Sequence, residues 1–342
     1  MNKLNIKNFL YDSQAKSLLK KKSFNTKPIK YKQFFFEYKS FGHKNPRKKF
    51  YIINRYPGAG LFSNYCFVMN QIKFCEFLKL IPVVDMKNFP SIYSEKKKIA
   101  NVNNSWEYYF KPLNKYSLEE VYKSKNVIFG SSKLYSFMHD DMIDKKIKKY
   151  FIKIRIKKEF ITLSKKFCKK NRFENNKVLG VHFRGSTYKV AKKHAFPPTL
   201  KIMIENVEKL ISRHGYNKIF LVTEEIEYLN AFKKHFGKKC IFTNSIRMGN
   251  EDLFAIYPRK NHRYQLGKET LIDTIILSEC DGLTFVKTNV TSAAQLLSKK
   301  KQKIHEIFLG YNSSNKFIAR WLWYFKKMLP ANMGGLKIIK KN

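Results

Sequence analysis

Apolar positions along the second half of the chain alternate between two periods. KVLGVHFRG (177–185) reads as a strand ending in glycine. Helical spacing then predicts a helix over about 198–213, and KIFLVTEE (218–225) predicts the next strand. Another helix precedes CIFTNS (240–245). KETLIDTIILSEC (268–280) is a helix, GLTFVKTN (282–289) a strand and VTSAAQLLSKK (290–300) a helix. KIHEIFLG (303–310) closes the strand series ahead of a Trp-rich final helix. Alternation of this regularity predicts a parallel sheet covered on both faces.

The first half repeats the grammar once. KKFYIINRY (48–56) is a strand, PGAGLFSN (57–64) a glycine turn, NYCFVMNQIKFCEFLKL (64–80) a helix and IPVVDM (81–86) a short buried strand. Residues 1–47 are a Lys-rich lead-in of weak pattern, and 95–170 are harder to parse. MIDKKIKKYFIKIRIKKEF (142–160) places Ile143, Ile147, Phe151 and Ile154 near one helical face among lysines. A membrane-surface helix and an ordinary helix with a solvated basic face share that pattern. These boundaries divide the chain into the lead-in (1–47), an N-terminal α/β domain on the acceptor side (48–170), a C-terminal Rossmann-like domain (171–330) and a basic tail (331–342). With 342 residues, two domains sharing a cleft are expected.

Composition narrows the classes. Hydrophobic residues make up 44% and aromatics 15%, enough to exclude a disordered chain. The net charge of +44 attracts phosphates, anionic lipid and acidic glycans. Two accounts fit it: a surface for nucleic acid or anionic membrane, or codon bias, since the lysines are scattered throughout. Cys66, Cys75, Cys168, Cys240 and Cys280 form no CxxC pair and no zinc-ligand spacing, which suits unpaired, mostly buried thiols in a reducing compartment. MNKLNIKNFLYDSQ lacks the apolar centre of a signal peptide, and no run of about 18 apolar residues exists to span a bilayer. The expected location is cytoplasmic, with peripheral contact at the inner membrane face.

Three segments fall where strands end: PGAGLFSN, HFRGSTYK and KTNVTS. Gly58 and Gly60 let the backbone approach a ligand, although the turn is neither GxGxxG nor a Walker loop. His182 and Arg184 share one side of their strand by alternation. An Arg ending a buried strand needs an anionic partner, either a diphosphate held bidentately or a carboxylate of a neighbouring loop. In the first half, Asn104-Ser105-Trp106-Glu107-Tyr108-Tyr109 offers rings that either stack on a sugar or fill the core. The final helix, with Trp321 and Trp323 beside lysines, either grazes a membrane or docks between the domains.

VLGVHFRGSTYK followed by HAFPPT resembles the donor-site motif of the fucosyltransferase superfamily. PGAGLFSN is similar to the family's N-terminal glycine loop, with Gly58, Gly60 and Asn64 on the donor side. KIFLVTEE and ETLIDTIILSECDGLTFVKTNVTSAA also fall in the family's order. The resemblance covers about residues 50–330. It implies an α/β, GT-B-like fold of two Rossmann-like domains whose parallel sheets face a central cleft. It further implies inverting, metal-independent transfer of fucose from GDP-fucose to a glycan, in surface-polysaccharide or glycolipid assembly, with no cofactor beyond the donor.

Carried over by residue, Arg184 holds the β-phosphate and His182 the nucleoside. Asp273 meets guanine, while Thr288, Asn289 and Val290 meet the phosphates, and Thr223 with Glu224 edges the pocket. The general base is not given by the motif; His194 is nominated as the side chain in YKVAKKHAF that titrates near neutrality. The chain departs from the family at Thr187, where an Asp is usual. That departure admits a catalytically degenerate GDP-sugar-binding relative. A basic phosphate- or nucleic-acid-binding protein is the remaining alternative, although no RNA-binding motif is present.

Overall fold

The computed structural model describes residues 29–31, 34–57, 59–129, 150, 152–247, 249 and 253–339. It divides into two compact units, Met1–Lys157 and Lys158–Asn342.

In the first unit the elements run β1 (Ile29–Tyr31), β2 (Phe34–Lys39), β3 (Phe50–Ile53), α1 (Leu61–Phe77), β4 (Ile81–Val84), α2 (Leu118–Val121) and β5 (Val127–Phe129). The sheet order is β1-β2-β5-β3-β4. β3 pairs parallel with both β4 and β5, whereas β2 runs antiparallel to β5 and β1. This sheet is therefore mixed where a parallel one was expected. The link 40–49 is shorter than a parallel crossover requires, so β2 and β3 run in opposite senses. Phe50, Ile52, Val83, Val121 and Val127 pack on one face, and Tyr51 on the other donates its hydroxyl to Gln71 at 2.8 Å. The Asn104–Tyr109 rings fill the core: Trp106 is 2% exposed and lies 4.3 Å from the Phe110 ring. That removes the sugar-stacking reading for Trp106. Of the basic segment 142–160, residues 142–149 and Phe151 lie outside the described residues, while Ile154 is buried.

The second unit begins with α3 (Lys158–Lys170), then β6 (Val178–His182), α4 (Leu200–His214), β7 (Lys218–Val222), α5 (Ile226–Phe236) and β8 (Cys240–Ile241). It continues with α6 (His262–Glu279), β9 (Gly282–Phe285), α7 (Asn289–Leu297), β10 (Lys303–Glu306) and α8 (Lys316–Met328). α3 lies on this unit because its apolar face meets it: Phe167 packs 5.5 Å from Phe220, and Ser164 reaches the Ile272 carbonyl at 3.5 Å. The five strands are all parallel, in the order β10-β9-β6-β7-β8. That is the doubly wound order, with its reversal between β6 and β9.

Two apolar clusters sandwich the sheet. Leu179, Val181 and Phe183 pack toward α4 and α5, and Val178 packs toward α6 and α7 with Ile276, Leu277 and Ala294. Helix ends follow local chemistry: Thr199 caps α4 by accepting from the Ile202 amide at 3.2 Å, and Gly215 ends it at φ 66°. None of the five cysteines forms a disulfide, and Cys168 alone is only partly buried. No helix among the described residues is long and apolar enough to cross a membrane.

Candidate active site

The order of the sheet reverses between β6 and β9, and in such sheets ligands bind outside the carboxyl ends of the strands at that point. His182 closes β6, opposite Phe285 of β9 in register. Its side chain is buried, and burial with the nearby Arg184 charge lowers its pKa to about 3, so the imidazole is neutral at physiological pH. Among the described residues nothing bonds its Nδ1. Phe183 turns into the core and stacks on Tyr228 with centroids 4.0 Å apart. The next side chain, Arg184, therefore emerges at the strand end, about one-third exposed. Its guanidinium lies over the Tyr188 ring at 4.1 Å, and Nε stands 3.5 Å from Oε1 of Glu224. The imidazole of His194 meets the same Tyr188 ring edge-on at 4.9 Å. Partial burial and Arg184 lower the His194 pKa as well.

The turn after β6 is shaped by a second ion pair. Nζ of Lys189 bonds both oxygens of Glu225, at 3.0 and 3.2 Å, with the two side chains 15% and 7% exposed. A Cβ on Gly185 would overlap the Glu225 carboxylate, so only glycine lets the chain pass between that pair and Arg184. Lys189 also rests over the Tyr228 and Trp323 rings, at 5.3 and 5.4 Å. Trp323 in turn donates to the Pro197 carbonyl at 2.8 Å. The His194 loop is tied down separately, by Phe196 N to Gly310 O at 3.0 Å and Asn312 N to His194 O at 2.8 Å.

Across the switch, Thr288 ends the stretch after β9 and caps α7. Its Oγ1 accepts from the Thr291 amide at 3.2 Å, while Thr291 Oγ1 accepts from the Thr288 amide at 3.0 Å. The Thr288 hydroxyl is thus engaged in the cap. Helical geometry leaves the amides of Asn289 and Val290 without an intrahelical acceptor, and the positive end of the helix dipole lies there. Within the same turn, Oγ of Ser292 is buried and has no partner among the described residues.

No protein-family model matches the chain, and no curated protein is similar to it in sequence. Solved structures match it in fold. The NodZ α-1,6-fucosyltransferase co-crystallised with GDP superposes with a TM-score of 0.50 at 14% identity, over 77% of this chain and 95% of that one. NodZ from Bradyrhizobium gives 0.49 at 15% identity, over 73% and 93%. POFUT1 in complex with GDP gives 0.37 at 11% identity, over 77% and 74%. The fold is fucosyltransferase-like.

On this fucosyltransferase-like, GT-B-like fold the second unit gathers His182, Arg184, His194, Glu224 and the start of α7 around one switch point. Thr223 is buried beside it, its Oγ1 accepting from the Glu225 amide at 3.2 Å. Thr187, at the departure from the motif, is exposed. Asp273 lies on α6, beside the residues that follow β8. Its oxygens accept from Thr243 Oγ1 at 2.6 Å and Ser245 Oγ at 3.2 Å, and burial raises its pKa to about 6. Gly60 and Asn64 belong to the first unit, and Gly58 lies outside the described residues. Asn64 braces its own turn, bonding both the amide and the carbonyl of Ala59, and Tyr93 takes the Leu61 amide at 2.9 Å.

Two residues near these positions escape sequence reading. Tyr188 lies between guanidinium and imidazole, a place no periodicity reports. Arg247 follows β8 and is fixed through Nη1 to the Thr243 and Ser245 carbonyls at 2.9 and 2.8 Å. Its buried Nε and Nη2 meet no partner among the described residues, a second guanidinium with donors to offer. The signal for it is faint: an Arg shortly after a strand-ending Thr-Asn-Ser.

Proposed function

We propose that the chain is a glycosyltransferase that moves fucose from GDP-fucose to a glycan acceptor by single displacement with inversion, and that it needs no metal ion. The observation that carries this is the strand order, which sets Arg184 after β6 and the amino end of α7 after the neighbouring β9, on a fold shared with a fucosyltransferase co-crystallised with GDP. The Arg184 guanidinium takes the β-phosphate bidentately, exchanging Glu224 for the stronger anion. The amides of Asn289 and Val290 take remaining phosphate oxygens. As the bond from C1 of fucose to the diphosphate oxygen breaks, its electron pair leaves with GDP, and these donors meet the growing charge. The acceptor hydroxyl attacks C1 from the opposite side. His194, held below its ordinary pKa, is neutral at pH 7 and able to take the hydroxyl proton. Neutral His182 offers one N–H to the nucleoside, and Asp273 faces the N–H donors of guanine. Thr223 edges the pocket.

A calorimetric panel of GDP, UDP, CMP and ADP with their sugars tests the reading, followed by release of GDP from GDP-fucose. GDP and GDP-fucose are expected to bind alone. Arg184→Ala should weaken GDP by about ten- to a hundredfold, the loss of a charge-assisted bond of roughly 1.5–3 kcal/mol. Its unfolding free energy should change by less than about 1 kcal/mol, because the Glu224 pair is partly solvated. Wild-type affinity in that variant, or binding of RNA in preference to GDP, would end the proposal. Binding of GDP-fucose without turnover would reduce it to the degenerate relative that Thr187 admits.

A further inference from the structure

We propose that the outward face of α8 is a membrane-docking surface that seats the protein on an anionic bilayer. The inference stands on the second unit alone and does not rest on the proposed reaction.

α8 has two apolar faces. Ala319 and Trp323 point inward, and Trp323 joins the cluster beneath β6. On the opposite side Phe317, Ile318, Trp321, Tyr324, Phe325 and Met328 are 82%, 52%, 64%, 44%, 60% and 82% exposed. At about 100° per residue these six fall within an arc of roughly 120°, one continuous stripe of the width an interfacial helix buries. A stripe of six large side chains with four aromatic rings left in water is unusual for a soluble surface.

Charge decides what covers it. Lys316, Arg320 and Lys327 follow one another along one edge of the stripe, Arg320 standing 5.5 Å over the Trp321 ring, and α8 contains no Asp or Glu. A second copy of the chain would bring the same basic row against this one, on a protein whose net charge is already +44. An anionic lipid surface complements the row while its acyl boundary receives the stripe. Trp321 stands at the centre of the face and Tyr324 at its basic edge, amphipathic rings that favour the headgroup level.

The test is vesicle co-sedimentation of the full chain with phosphatidylcholine alone and with phosphatidylcholine containing a third phosphatidylglycerol. Trp321 supplies a local reporter: Trp106 and Trp323 are buried at 2% and 3%, so a blue shift of tryptophan emission on adding vesicles reads Trp321. Binding is expected to the anionic vesicles, to fall with salt, and to be accompanied by that shift. Trp321→Ser with Phe325→Ser should weaken partitioning at least about tenfold, since the anchoring area is removed. Both side chains are exposed, so GDP binding and thermal midpoint serve as fold controls. Arg320→Gln with Lys327→Gln should lower the anionic preference and leave the residual salt-independent binding. Three results would each overturn the proposal. They are no vesicle binding, binding undiminished by the Ser variants, and a concentration-dependent dimer that those variants abolish.

Discussion

Replacing His182 by Asn should change how stability depends on pH, by an amount fixed by its burial. The folded imidazole titrates at about 3, against 6.5 for the ordinary group. A depressed pKa means the unfolded chain binds the proton first, so stability is full above 6.5 and is lost as pH falls toward 3. Between about pH 7.5 and pH 5 only the unfolded state gains that proton, and the loss amounts to roughly 2 kcal/mol. Asp273 works in the opposite sense. Its folded carboxyl titrates at about 6 against 3.8, so the folded state binds the proton first and gains roughly 1.4 kcal/mol over the same interval. In the wild type the two nearly cancel. Urea unfolding of wild type and His182→Asn at both pH values isolates the term, because the packing cost of the substitution does not vary with pH. The variant should gain about 2 kcal/mol relative to wild type on acidification. A difference below about 0.5 kcal/mol would mean that the imidazole is solvated in the folded state, against the burial of His182 described above.

Gly185→Ala would press its methyl into the Glu225 carboxylate and disturb the buried Lys189 pair, costing about 3–5 kcal/mol in urea unfolding. In a Glu225→Ala background the same change should cost at least about 1.5 kcal/mol less, and an equal cost would disprove the clash. Asp273→Asn should erase the preference for GDP over ADP in calorimetry, whereas wild-type GDP affinity should rise between pH 5 and 7 as the carboxylate ionises near 6. An unchanged base preference would remove Asp273 from guanine recognition. Thr288→Ala should cost about 1 kcal/mol through the lost cap. It should alter GDP affinity less than about threefold if the amides hold the phosphate, and a larger loss would return that role to the hydroxyl.

The parallel unit was legible because buried strands are apolar runs that stop abruptly, and each stop marks a strand end. Val178–His182, Lys218–Val222 and Gly282–Phe285 announce themselves in this way, and with them the positions of His182, Arg184, Thr223 and Thr288. The first sheet was less legible. β2 lies in a Lys-rich stretch whose pairing with β5 depends on residues far along the chain. The Trp106 ring is apolar and amphipathic on paper, and only its neighbours Tyr65 and Phe110 put it in the core.

Local pattern thus determined which segments are strands and helices and where each chain reversal places its polar residues, because burial periodicity is a property of the element itself. Tertiary structure decided the partners. It set Glu224 beside Arg184, Tyr188 between Arg184 and His194, Lys189 against Glu225, and Thr243 with Ser245 on Asp273. It also chose which of the two apolar faces of α8 packs inward and which remains in water. Those outcomes depend on strand order and on contacts between residues distant in sequence, and no spacing along the chain encodes them.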